Sequence, residues 1–249
     1  LREALKVRAS QKEKEEILDF GGQKSRPDIS HAAYQVGLGP VLESAGGLTK
    51  PGAELSFRFA YHDLLDPDPG YMPHSEILFP NFRFRYSERT KRLSLHEAQL
   101  WSLVSLTPWN LIRKPLAWRV SLGFGPLDGC GYCKGASAEA GIGSAWGLDP
   151  EVWTLWAMLG GGGSWSERTD LRAAPWFEAG SLLTLPSEGK ILLEARVGRG
   201  LGRAPDWFQR VKLGFSYPLG RSYSVRLEGQ TFWQKKRESD LRVLAVHYF

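Results

Sequence analysis

The chain has 249 residues, a formal net charge of +5, 42% hydrophobic and 12% aromatic residues, and 28 glycines. So many large apolar side chains exclude a disordered chain. No stretch approaches the roughly 18–20 uninterrupted apolar residues of a membrane helix, but a membrane β-barrel fits, because its strands need only about 9–11 residues with every second one apolar.

Residues 1–18 lack Gly and Pro and are dense in Lys, Glu, Ala and Leu. They predict a short charged helix that stops near Gly21-Gly22, followed by a linker, so residues 1–28 form a charged helical connector. The chain starts at Leu1 without Met or signal peptide, which suggests a piece of a longer protein. Lys and Arg interleave with acids almost everywhere, which argues against a nucleic-acid partner.

From residue 29 to 249 the apolar period is two. Twelve strands are predicted: 30–39, 54–63, 75–87, 92–106, 115–125, 135–146, 151–160, 175–186, 190–198, 207–217, 221–233 and 239–249. Leu55, Phe57, Phe59 and Tyr61 alternate with Arg58 and His62, and Phe82, Phe84 and Tyr86 alternate with Arg83 and Arg85. Leu193 and Val197 alternate with Glu194 and Arg196, and Val225 and Leu227 with Arg226 and Glu228. A period of two puts the apolar set on one face and the charges on the other. The stretch 92–106 changes phase, which suggests a bulge. The stretch 151–160 is apolar on both faces and is also compatible with a short helix. Gly39-Pro40 and Gly160 to Ser164 are read as turns. The latter run lacks the Lys-Ser/Thr of a phosphate loop.

Strands this long, against a soluble mode of about 5–6 residues, favour an all-β transmembrane antiparallel barrel over a soluble sandwich. The charges Arg58, Arg83, Arg85, Arg119, Glu139, Glu178, Glu194, Arg196, Arg226 and Glu228 then face the lumen. Tyr34, Tyr61, Tyr86, Trp118, Trp176, Trp207, Tyr217 and Trp233 fit the interfacial aromatic girdles. With both termini periplasmic, short turns are expected near 147–150, 187–189 and 218–220. Longer outside connections are expected near 40–53, 161–174, 199–206 and 234–238.

One periplasmic connection breaks this pattern. Residues 61–74, YHDLLDPDPGYMPH, carry three Asp, two His and three Pro where a short turn would suffice. The segment FRFAYHDLLDPDPGYMPHSEI, with the upstream HAAYQVGLGP and the downstream KPLAWRVSLGFG and CGYC, resembles a bacterial envelope protein family. In that family a periplasmic domain similar to the lipoprotein N-acyltransferase type of transacylase precedes an outer-membrane barrel. The final LRVLAVHYF resembles the C-terminal assembly signal of such barrels, with Phe249 as its aromatic end.

The resemblance implies a barrel in the bacterial outer membrane, in contact with lipid and lipopolysaccharide. It implies as partners the barrel-assembly machinery and the chain's own periplasmic N-terminal domain. The catalytic residues of that domain have no positions here, so this barrel is expected to be non-catalytic, an anchor with a closed or narrow lumen. Tyr61, His62, Asp63, Asp66, Asp68 and Tyr71 would form a periplasmic-rim motif that fixes the rim or docks that domain.

The alternatives are an outer-membrane lipid hydrolase or protease, or a narrow channel. Ser30-His31 and His62-Asp63 are the local pairs that suggest base chemistry. Cys130 and Cys133, in an outside loop, are expected to form a disulfide. Two Cys without a nearby His make no four-ligand zinc site, and neither metal nor cofactor is expected.

Overall fold

The computed structural model describes residues 30–88, 91–127, 134–149, 152–166, 169–201, 207–234 and 237–249. The predicted helix at 1–18 and the pair Cys130 and Cys133 lie outside these residues. Among the described residues there is no helix. The elements are β1 (Gln35–Ala45), β2 (Leu48–Arg58), β3 (Tyr61–His62), β4 (Ser75–Leu78), β5 (Asn81–Ser87), β6 (Arg92–Ser105) and β7 (Ala117–Pro126), then β8 (Lys134–Asp149), β9 (Trp153–Ser166), β10 (Thr169–Thr184), β11 (Lys190–Arg199), β12 (Trp207–Pro218), β13 (Tyr223–Trp233) and β14 (Arg237–Tyr248).

β2 with β3, and β5 with β4, are two long strands broken at facing positions, where the Phe59 amide donates to the Pro80 carbonyl at 3.0 Å. β6 pairs with both β4 and β5. The fourteen elements thus make twelve strands, each antiparallel to its chain neighbour. β1 pairs with β14, Gln35 opposite Tyr248, and closes the ring. Closure leaves no strand edge with unpaired backbone groups, which is the condition for a sheet to sit in lipid.

The pleat then sorts the side chains. Leu159, Leu193, Leu213, Val225, Leu227 and Val243 point outward and are exposed, while Glu194, Arg196, Arg226, Glu228 and Arg242 point inward and are buried. An apolar exterior around an ionised interior is the construction of an outer-membrane barrel. The chain is a closed antiparallel twelve-stranded β-barrel of the bacterial outer membrane.

Of the predicted strand 151–160, residues 153–160 lie in β9 and not in the alternative short helix. Other expectations change. Gly39-Pro40 lies inside β1, and the turn falls at Gly46 and Gly47, which both have positive φ (59° and 83°). Two such residues in a row match the right-handed twist of a hairpin, and glycine adopts them without strain. Gly160 to Ser164 lies inside β9. Its first glycine has a packing reason: a Cβ on Gly160 or on Gly141 would sit 2.3 Å from the Trp176 ring. Trp176 is therefore a buried lumen residue and not part of a girdle.

The expected short turns near 147–150, 187–189 and 218–220 do link β8 to β9, β10 to β11 and β12 to β13 at the end carrying the termini, but the expected longer connections at the other end are not general. At the end carrying the termini, residues 63–74 separate β3 from β4, and residues 106–116 separate β6 from β7. At the far end, β1 meets β2 across Gly46 and Gly47 alone, and only two residues lie between β9 and β10. The phase change in 92–106 is a pair of bulges in β6, at His96 and Leu100, which the register skips.

The interior is divided. Against the β8–β12 wall lies an apolar core that includes Trp156, Met158, Trp176, Leu182, Leu192 and Phe208. Beside it lies a polar cavity of about 530 Å³, lined also by Glu139, Glu194, Arg196 and Arg210 of that wall.

Candidate functional site

Residues 63–74 fold into the lumen as a plug. Tyr61 (φ 65°) and His74 (φ 58°) bracket the segment. The left-handed region costs an ordinary L-residue about 1–2 kcal/mol, so packing must hold both ends there. Leu64 and Leu65 join the apolar core, and Leu65 lies over Gly214 of β12, where a Cβ would meet its methyl at 2.7 Å. The turn is built by its own acids. Asp66 Oδ2 accepts from the Asp63 amide at 2.8 Å, and Asp63 Oδ1 accepts from the Leu65 amide at 2.8 Å.

The same carboxylates tie the plug to separate strands. Asp66 pairs with Arg58 of β2 at 2.7 Å and with Arg226 of β13, and accepts from the Tyr248 hydroxyl of β14 at 2.8 Å. Asp63 pairs with Arg226 at 2.6 Å and with Arg58 at 3.0 Å. Asp68 pairs with Lys190 of β11 at 2.6 Å. Burial alone would push these carboxyls up. Arg226 and Arg58 hold Asp63 below its usual range, and Arg58 and Arg226 hold Asp66 far below it. His62 and Lys190 do the same for Asp68. All three are therefore anionic, as a salt-bridged anchor requires.

Two histidines complete the plug. His31 enters ahead of β1, and its Nδ1 lies 2.7 Å from the Ala32 carbonyl. Its Nε2 faces Nδ1 of His62 at 3.3 Å. Tyr71 stacks on both rings and donates its hydroxyl to the His31 carbonyl at 2.9 Å. Burial, only partly offset by Asp66, lowers the His31 pKa and keeps the ring neutral. At the exit of the plug the Leu106 amide donates to the His74 carbonyl at 2.8 Å.

Above the plug the inward charges form two clusters. Glu178 binds Arg119 and also Arg196, the latter at 2.8 Å, and Arg196 reaches Glu139 at 2.6 Å while covering the Trp176 ring. Arg119 and Arg210 share Glu194 at 3.4 and 3.5 Å. Across the lumen, Arg85 bridges Glu54 (2.7 Å) and Glu43 (2.6 Å), and Arg242 binds Glu228 at 2.6 Å. Arg83 pairs with Glu97 at 3.0 Å. The cavity walls carry eleven Lys and Arg against nine Asp and Glu. The cavity runs from Glu43 and Lys50 near the far rim down to Leu64 and Leu65 of the plug.

The structure thus brings His62, Asp63, Asp66, Asp68 and Tyr71 together with Arg58 and Arg226. Tyr61 stays exposed at the rim. Phe249 is exposed, donates its amide to the Tyr34 carbonyl at 3.1 Å and stacks on that ring. Sequence reasoning missed Glu54, Lys190, Arg242 and Tyr248. Arg242 and Tyr248 stand in the inward phase of the last strand, and Glu54 in that of Arg58, so the same alternation would have found them.

No curated protein sequence matches the chain. Solved structures similar to it are outer-membrane proteins. The COG4313 outer membrane channel of Pseudomonas putida F1 is 11% identical, TM-score 0.47, over 93% of this chain and 100% of that one. OmpT of Vibrio cholerae is 6% identical, TM-score 0.42, over 87% and 96%. The outer membrane channel DcaP of Acinetobacter baumannii is 7% identical, TM-score 0.41, over 87% and 96%. With residues 24–249 matched by its model, the chain belongs to the family described as Domain of unknown function (DUF7840).

Proposed function

We propose that this barrel is a closed membrane anchor that positions a periplasmic partner at the end where both termini lie. The observation that carries this reading is the plug: Asp66 joins residues 63–74 to β2, β13 and β14 and stops the polar cavity at Leu64 and Leu65. A sealed terminal end with Tyr61 and Met72 exposed on it offers a fixed surface to a domain preceding residue 1. The proposed partner is the transacylase-like domain implied by the sequence resemblance, with residues 1–28 as connector. Phe249 is proposed as the mark read by the assembly machinery, and Cys130–Cys133 as a disulfide of the far end. The test is a photo-crosslinking amino acid at Met72 in the full-length protein in cells. The expected product is a crosslink to the periplasmic segment of the same chain. Crosslinks to lipid alone would contradict the reading.

A second reading, a gated narrow channel, is favoured by one observation: the 530 Å³ cavity is lined with nearly balanced charge rather than filled. In that reading the plug is the gate, and conductance would respond to mutation of its anchors.

A further inference from the structure

We propose that His31, His62 and Asp66 form a binding site for a divalent transition metal, zinc first, that clamps the plug to the entry of β1. The three ligand atoms converge. His31 Nε2 and His62 Nδ1 are 3.3 Å apart, and Asp66 Oδ2 lies 3.9 Å from the first and 3.8 Å from the second. A tetrahedral ion with bonds of about 2.0–2.1 Å holds its ligand atoms about 3.3 Å apart. Closing the site on an ion therefore needs only a shift of about half an ångström in Asp66.

The surroundings fix which nitrogens are free. The Ala32 carbonyl can only accept, so at 2.7 Å it requires the proton of His31 on Nδ1 and leaves a lone pair on Nε2. Asp68 Oδ1 lies 3.7 Å from His62 Nε2, beyond hydrogen-bond reach, and its negative charge favours the His62 proton on that side once an ion is bound, with Nδ1 as the ligand nitrogen. The two ring nitrogens and an anionic oxygen face one another in a buried pocket, where a proton bridges the rings at 3.3 Å in the metal-free site and an ion would take its place between all three. A carbonyl and a carboxylate behind two ligating imidazoles are also the outer-shell partners such ligands use. Tyr71, stacked on both rings, holds their planes. Asp66 Oδ2 already accepts from Arg58 at 2.7 Å and from the Asp63 amide at 2.8 Å, so the ion takes the place of one of these donors. The three Asp are already matched by Arg58, Arg226 and Lys190, so the ion brings uncompensated charge. This sets the affinity below that of a thiolate site. The inference holds whether the barrel anchors or conducts.

The test uses the whole chain folded in detergent, stripped with EDTA and titrated with ZnCl₂ and, separately, CoCl₂. The expected results are one zinc per chain by elemental analysis, tetrahedral Co²⁺ absorption, and a raised Tm of the plugged barrel. Asp68→Asn should weaken binding about 10–100-fold, as loss of an outer-shell partner does. His31→Gln with His62→Gln should abolish it, with folding checked by heat-modifiable migration. No zinc above background in the folded wild type, or equal uptake by the double variant, overturns the proposal. A Co²⁺ spectrum of octahedral type overturns the tetrahedral site.

Discussion

Asp66 and Arg226, 160 residues apart in the chain, form the buried ion pair that joins the plug to the wall of β13. Both side chains are shielded from solvent, so the pair depends on each partner being present. Removing one charge leaves the other buried and uncompensated, at a cost of about 3–5 kcal/mol. Asp66→Asn and Arg226→Met should each lower the urea midpoint of the refolded barrel, and the double variant should lose less than their sum. Equilibrium unfolding followed by Trp fluorescence measures all three.

The same acids predict a pH dependence. Asp63, Asp66 and Asp68 have folded pKa values below their unfolded ones. Their contribution is complete above the unfolded carboxylate value of about 3.9 and is lost as pH falls below it. His31, depressed by burial, acts in the same direction from its ordinary value of 6.5. Stability should fall gently below about pH 6.5 and steeply below about pH 4. Asp63→Asn with Asp66→Asn should flatten the steep part, as thermal melts across pH would show.

Packing inside the lumen gives a third expectation. Gly160→Val places side-chain atoms within the Trp176 ring, since even a Cβ would approach to 2.3 Å. Overpacking of this kind costs about 1–3 kcal/mol. Val at Gly46 should instead act through its positive φ, at about 1–2 kcal/mol, since nothing lies within 4 Å of its Cβ position. Unfolding midpoints in detergent distinguish the two sites, and adding Trp176→Ala should offset part of the loss only for Gly160.

The outer face has its own test. Leu213 is exposed in the middle of β12, and Leu48 at the far-end turn. Leu213→Arg should cost about 2–4 kcal/mol in a bilayer and Leu48→Arg about 0–1. Refolding yields into phosphatidylcholine vesicles should rank wild type, Leu48→Arg, then Leu213→Arg.

The barrel was legible because a period of two is a local property. Leu193 and Glu194 declare opposite faces within two residues, and eleven of the twelve strands start or stop within about two residues of their predicted bounds. Glycine was misread because two different causes share one residue type. Gly39 answers to the close backbone of β14 and Gly160 to the Trp176 ring of the neighbouring strand β10, whereas Gly46 answers to φ, and only the fold separates them. The plug was visible as the anomaly of residues 61–74, but its direction was not. Whether Asp66 faces the rim or the lumen depends on Arg58, Arg226 and Tyr248, which the chain brings together only when β1 closes on β14.

The central claim is that the plug, held by Asp66, closes the lumen. Single-channel recording of the wild type and of Asp63→Asn with Asp66→Asn in planar bilayers tests it most directly. The account predicts no current steps from the wild type and discrete openings from the variant. Steady wild-type conductance that the variant leaves unchanged would contradict it.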